Sequence, residues 1–385
     1  MRFPIATALL LLVVAASASA AHAGGDLAVV NGTVADYDGR PLPDAAVTLT
    51  GTGVRPMTIK TNTDGSYRFW GVRPKPGYSI TASHPRYRTV VYDGLDIDIS
   101  QRRVVRFRLK TPEQREAVLL LSKDPFPYEA LAEAFSEGLG VPTRRIDLDQ
   151  EPDPAEAVRR VAAEKPNVIL SAGLLAGRLV RSEVHDIPSI LTLIDDPRRY
   201  DLITPNNCFL STNPDAGAVM ERVADLLPAV RRIGLIYDAE KSELVARDLA
   251  DAARARGLAV ELRPCYVPSQ VGRMLEQMNG TIDALVVPYD RLSVTPGALD
   301  AMIGWAHRQR MPLVAPQADW VEGGALLSFG VPPARLGEQA RAMARRLLDQ
   351  TEHPADLGLQ VAAHPILAVN RATASDLGLT LPIEP

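Results

Sequence analysis

Ile233-Gly-Leu-Ile-Tyr237-Asp238, a helical run, Ala259-Val-Glu-Leu262, a second helical run and Asp283-Ala-Leu-Val-Val-Pro288 decide the fold of this 385-residue chain. Short apolar runs ending in a polar residue alternate there with amphipathic segments of about a dozen residues. That is the pattern of βαβ units on a parallel sheet. The same rhythm occurs earlier, at Ala117–Leu121, Arg145–Leu148, Asn167–Ser171 and Ser189–Ile194. Two such blocks predict two Rossmann-like α/β lobes with a cleft between them, and the function is expected in that cleft.

A hydrophobic content of 46% is enough for two or three cores, and a net charge of −4 favours neither nucleic acid nor an anionic membrane surface. Arg2 precedes an apolar run, Ala6–Ala16, and Ser17–Ala23 then offers two small-x-small sites. Residues 1–23 therefore read as a signal peptide cleaved after Ala20 or Ala23, releasing a soluble periplasmic protein. No Cys follows the run, so no lipid anchor is expected, and the run is shorter than the roughly 20 residues a membrane span needs. Cys208 and Cys265 fall in different lobes, and both pairing and two buried thiols are open. A bond between lobes would restrict their closure, which favours free thiols.

Residues 28–110 have another texture. Val29–Val34, Ala46–Thr50, Thr58–Thr61, Tyr67–Trp70, Tyr78–Ala82, Arg88–Tyr92 and Val104–Leu109 are β-type runs separated by Gly, Asp, Asn and Pro. With turns such as Asp38-Gly39 and Asp64-Gly65, they predict a small all-β sandwich. Arg86, Arg88, Arg102, Arg103, Arg106 and Arg108 form either a polyanion patch or, since Arg106 and Arg108 alternate with Phe107 and Leu109, the solvated face of a half-buried strand. Tyr67, Trp70 and Tyr87 read as packing residues or as a sugar-stacking platform.

In the first lobe, Asn167–Ser171 runs into Ala172-Gly173-Leu-Leu-Ala-Gly177. Ser171 and Gly173 are candidates because such a strand-to-helix turn can offer backbone N–H groups to a polar ligand. The spacing fits neither a dinucleotide fingerprint nor a phosphate loop. The next strand ends at Asp195-Asp196-Pro197, where open α/β sheets place ligands. Adjacent strand residues point to opposite faces, so one acid of the pair, with Asp196 as the site candidate, is left for a surface or capping role. Ser211 closes a crossover strand, Asn207–Thr212. In the second lobe Asp238, with Glu240 and Ser242, reads equally as a helix cap or a ligand contact. Tyr289 and Asp290 follow the strand ending at Pro288, and Ser328 lies in Gly323–Gly330. A helix over 333–348 presents a basic, solvated face, and the tail holds one strand, Leu359–Val369, and a short helix from Arg371.

Two resemblances follow from these residues. Gly32-Thr-Val, Gly39–Val47, Thr63-Asp64-Gly65-Ser-Tyr67-Arg-Phe69 and Pro76-Gly77-Tyr78 resemble the carboxypeptidase regulatory-like, transthyretin-related sandwich, an accessory module. Residues 114–385 resemble the ABC-transporter substrate-binding proteins of periplasmic-binding-protein type I fold, in the subgroup of tryptophan and phenylalanine binders. Ile187-Pro188 leading to Asp196-Pro197, Asp283–Asp290, Gly323–Gly330 and Ala368-Val-Asn370 through Leu377-Gly378 to Pro382 carry that likeness. The resemblance implies a first lobe over about 114–212, a second over about 213–350 and a tail, 351–385, that crosses back. It implies capture of a small, amino-acid-like ligand, delivery to an ABC transporter permease, and no cofactor. Asn206–Ser211 departs from the usual Asn-x-Thr-Gly-x-Ser run, so no ligand identity is carried over. The alternative is an envelope sensor or assembly protein on the same fold, with the β-sandwich docking an envelope protein partner. Six histidines without metal-ligand spacing, and no Gly-x-Ser-x-Gly elbow or paired Cys and His, argue against catalysis.

Overall fold

The computed structural model describes residues 27–99, 102–111, 113–122, 128–194, 196–363 and 365–381. The N-terminal apolar run expected to be a signal peptide, Pro112, Asp195, His364 and Pro382 lie outside the described residues. The chain forms two units, Met1–Thr111 and Pro112–Pro385.

Alternation of buried and exposed side chains in the first unit produces seven strands: β1 (Ala28–Asp36), β2 (Ala46–Gly51), β3 (Val54–Lys60), β4 (Ser66–Val72), β5 (Lys75–Ser83), β6 (Val90–Ile97) and β7 (Arg102–Leu109). They pair as a three-stranded sheet, β4-β1-β7, and a four-stranded sheet, β3-β2-β5-β6. β1 runs parallel to β7, whereas the other pairs are antiparallel. The inner faces meet through Tyr92 of β6, whose ring stacks on Phe107 of β7 at 4.8 Å. Buried Tyr67 donates its hydroxyl to the Val105 carbonyl at 2.7 Å, so its polar end is satisfied within the core.

The second unit begins with β8 (Ala117–Leu121), α1 (Tyr128–Ser136), β9 (Thr143–Asp147), α2 (Pro154–Glu164), β10 (Val168–Ala172), α3 (Leu174–Glu183), β11 (Ser189–Thr192) and β12 (Asn207–Pro214). Then come α4 (Ala216–Leu226), β13 (Arg232–Asp238), α5 (Glu243–Ala255), β14 (Ala259–Cys265), α6 (Val271–Gln277), β15 (Ala284–Val286), α7 (Pro296–Gln309), β16 (Leu313–Ala315), α8 (Ala318–Glu322) and β17 (Leu327–Gly330). The chain ends with α9 (Pro333–Leu348), α10 (Pro354–Leu357), β18 (Leu359–Ala362), β19 (Ile366–Val369) and α11 (Arg371–Asp376). Two six-stranded sheets result, β18-β12-β11-β10-β8-β9 and β14-β13-β15-β16-β17-β19, parallel except for β19. β8 and β10 are buried along their full length, as strands covered by helices on both faces must be.

Two expectations for the C-terminal part need correction. The helix over 333–348, α9, belongs to the first lobe and not the second. Its stripe Leu336, Ala340, Met343 and Leu347 enters the core that holds Leu131 and Phe135 of α1. A Cβ at Gly337 would stand 2.4 Å from the Leu131 carbonyl oxygen, so glycine permits the close approach of the two helices. The basic face of α9 is also more than solvated. Arg341 donates to the Ala134 carbonyl at 2.8 Å and Arg345 donates to that of Gly138, which satisfies acceptors at the end of α1. Second, Leu359–Val369 is two strands in two sheets. Pro365 between them has no N–H to continue a ladder. The chain thus passes between lobes three times: after β12, after β17, and between β18 and β19.

Cys208 on β12 and Cys265 on β14 are free, buried, and in different sheets. Burial pushes their thiols up to about 12 and about 11, so neither is a thiolate at neutral pH.

Candidate functional site

The loops at the carboxyl ends of both parallel sheets enclose a cavity of about 830 Å³. That lies within the 300–1,000 Å³ typical of small-molecule sites. Tyr128 and Tyr200 of the first lobe line it, as do Tyr289 and Trp320 of the second. The charged lining residues, Lys241, Asp290, Arg291, Asp300 and Asp319, all come from the second lobe. Rings on both sides with charges of both signs on one side suit a flat, apolar group carrying a zwitterionic end.

Beneath the second-lobe wall is a brace built from strand-end residues. Asp290 is 1% exposed. Its Oδ2 accepts from the Asp238 N–H at 2.8 Å and the Ser242 hydroxyl at 2.7 Å. Its Oδ1 accepts from the N–H groups of Leu292 at 2.8 Å and Ser293 at 3.1 Å. Burial raises the Asp290 carboxyl above the usual carboxylate range, against these hydrogen bonds, which favour the ionised form. Asp238, fully buried, accepts from the Glu240 and Lys241 N–H groups and lies 2.7 Å from the Arg291 guanidinium. Asp238 therefore caps the turn into α5, and Asp290 ties that turn to the loop before α7. Arg291 also lines the cavity, but its guanidinium is held at this brace, with Nε facing Asp238 and Nη2 donating to the Tyr266 carbonyl at 2.8 Å.

A second cavity, about 230 Å³, lies towards the crossover strands. Asp196, 2% exposed, takes a capping role: it accepts from the Arg198 N–H at 2.9 Å and grips the Arg198 guanidinium at 2.8 Å. Arg198 then reaches Asp248 of α5 at 3.2 Å, linking one lobe to the other. Ser211 lines this cavity, but its hydroxyl closes a local turn with the Asn213 backbone. Tyr289 lines both cavities, and its N–H donates to the Asn213 side chain at 3.3 Å. Since it is below the size of typical sites, the smaller cavity reads as a hinge-side extension of the larger.

The sequence-based candidates thus divide. Tyr289 and Asp290 line the larger cavity, and Asp196 and Ser211 the smaller. Ser171 and Ser328 are fully buried behind the strand ends, each with an Oγ lacking a hydrogen-bond partner among the described residues. Gly173 has φ +90°, and a Cβ there would stand 2.7 Å from both Ser122 and the Tyr128 hydroxyl. Its N–H already donates to the Thr192 carbonyl, and Ser122 Oγ accepts from Ala176 N–H in the first turn of α3. Geometry, then, explains the glycine; its neighbour Leu174 faces the cavity. Sequence reasoning missed Tyr128, Tyr200, Arg291 and Trp320. Each lies a few residues beyond a strand end or in the helix it leads into, the signal that could have found them.

Comparison with known proteins accords with this geometry. Residues 148–384 match the family model of the ABC transporter substrate binding proteins. The chain belongs to that family. The match covers most of both lobes and leaves β8, α1 and β9 outside, while residues 29–110 match the carboxypeptidase regulatory-like domain. A curated relative, the tyrosine-binding protein of Clostridioides difficile strain R20291, is 25% identical over 198 residues, 49% of this chain and 57% of that protein. The chain therefore spans little more than half the length of that relative. Among solved structures, the ligand-free, open form of a substrate binding protein with adhesive properties from Clostridium difficile superposes with TM-score 0.56 at 21% identity. The ABC domain in complex with L-Trp from Streptococcus pneumonia gives 0.53 at 20%. Each likeness covers 70% of this chain and 96% of the other. At these identities they establish the shared fold. Substrate-binding proteins of this family are typically extracellular or periplasmic, bind small molecules and serve ABC permeases.

Proposed function

We propose that this chain is an exported, non-enzymatic receptor that captures an amino acid with an aromatic or large apolar side chain and delivers it to an ABC permease. The observation that carries the reading is the cavity of about 830 Å³, with rings from both lobes and charges of both signs. The ligand ring packs among Tyr128, Tyr200, Tyr289 and Trp320. Its carboxylate meets Lys241 or Arg291, and its ammonium meets Asp300 or Asp319. A tyrosine-binding relative and a tryptophan-bound neighbour support that ligand class. Leu174 forms part of the wall and leaves the cleft open, which favours a receptor over a sensor with a filled cleft. Residues 1–23 act as the cleaved leader, and residues 28–110 form an accessory module ahead of the receptor.

A thermal-shift panel of the common amino acids tests this. Tyrosine, tryptophan or phenylalanine should raise the melting temperature, since ligand at 100 times its Kd adds about 2.7 kcal/mol of stability. No shift with any amino acid at millimolar concentration would contradict the proposed ligand class.

A further inference from the structure

The outer face of the three-stranded sheet in the first unit is cationic and carries no acid. Strand parity puts Arg68 and Trp70 of β4 outward, together with Arg102, Val104, Arg106 and Arg108 of β7. Between them β1 presents Val29, Asn31, Thr33 and Ala35. The arginine cluster expected from sequence is thereby redrawn: Arg68 joins it, Arg103 has the opposite parity, and Arg86 and Arg88 lie before β6. None of the four outward arginines is ion-paired among the described residues. Neutral groups hold three of them: Arg102 Nε donates to Asn31 Oδ1 at 3.2 Å, Arg68 lies over the Trp70 ring at 5.0 Å, and Arg108 over Tyr37 at 5.1 Å. Trp70 is 67% exposed. Four uncompensated guanidiniums on one face of a chain with net charge −4 select an anionic partner.

We propose that this face binds an acidic polysaccharide bearing a carboxylate on each sugar. Arg102, Arg106 and Arg108 follow one strand at intervals of about 13 and 7 Å, and Arg68 is level with Val104 roughly 10 Å across the sheet. That is a ladder for charges repeated along an extended chain, with Trp70 as a flat surface for a sugar ring. A membrane would need a continuous apolar ridge, yet Trp70 and Val104 sit on opposite edge strands with Asn31 between. Single-stranded nucleic acid would need several rings for successive bases, and this face has one. An acidic protein would need a desolvated apolar centre, where the face has Asn31 and Thr33.

Affinity electrophoresis of the full chain in native gels containing polygalacturonate tests the proposal, with dextran, phosphatidylglycerol vesicles and oligothymidylate as comparators. Polygalacturonate should retard the protein and dextran should not. Arg102→Glu with Arg106→Glu should weaken the retardation about tenfold, the scale of losing one or two charge-assisted contacts. Trp70→Ala should weaken it several-fold. All three side chains are exposed, so the melting temperatures should not change. Arg106→Gln gives a milder check of the same contact. Absence of retardation, retardation indifferent to these substitutions, or equal binding to vesicles or oligothymidylate would overturn the proposal.

Discussion

Asp290→Ala should destabilise the second unit by about 3 kcal/mol or more, because it leaves the donors of Asp238, Ser242, Leu292 and Ser293 without their acceptor at about 1–3 kcal/mol each before water or rearrangement offsets part of the loss. The melting temperature should fall by roughly 6–12 °C. Asp290→Asn keeps the shape but turns an NH₂ towards one pair of donors. It should settle with the amide nitrogen near Ser242, whose hydroxyl can accept, and cost less than alanine. The sequence alone suggests the reverse, a loss of affinity with stability untouched. A wild-type melt for Asp290→Ala would restore that reading. The wild type should also show a pH signature. A carboxyl raised in the folded state binds its proton more tightly than the unfolded chain does. The contribution of Asp290 to stability therefore declines as pH climbs from about 3.9 through the folded value, and Asp290→Asn removes that slope.

Tyr289→Ala should produce the largest loss of ligand affinity among single cavity substitutions. Tyr289 lines both cavities, and its backbone is tied to Asn213 at the first crossover between lobes. Removing a ring that covers an aromatic ligand costs about 1–3 kcal/mol, or roughly 5- to 150-fold in Kd. Tyr289→Phe should retain most of the affinity if stacking is the contact, and lose it if the hydroxyl is. Calorimetric titration with whichever amino acid stabilises the protein most would read both. Unaltered affinity in Tyr289→Ala would move the ligand away from the junction of the two cavities.

The fold was legible because burial writes itself into strands. Ala117–Leu121 and Ile233–Asp238 are apolar runs that only a covered parallel sheet accommodates, and the punctuated strands before Lys110 predict a sandwich. Lobe membership was less legible. α9 is amphipathic whichever lobe it covers, and the small residue that fits it to α1, Gly337, announces no partner. Nor does periodicity say that Leu359–Val369 divides between sheets, although Pro365 marks the break. The site was half legible for a related reason. Strand-end acids such as Asp238 and Asp290 look the same whether they meet a ligand or hold a loop, and only the positions of neighbouring N–H groups decide. Aromatic residues just beyond the strands carry less local pattern, so nothing in the sequence singles out Tyr200 and Trp320.

We propose that the two lobes close on a ligand held between their strand ends, pivoting at the three crossovers. Arg198 already reaches Asp248 across the lobes, and exposed pairs of this kind contribute about 0.2–1 kcal/mol, so ligand contacts must supply most of the closing energy. Small-angle X-ray scattering of the full chain, free and saturated with the best-stabilising amino acid, measures closure directly. Closure should give a smaller radius of gyration at saturation. A radius unchanged with the ligand demonstrably bound would contradict it.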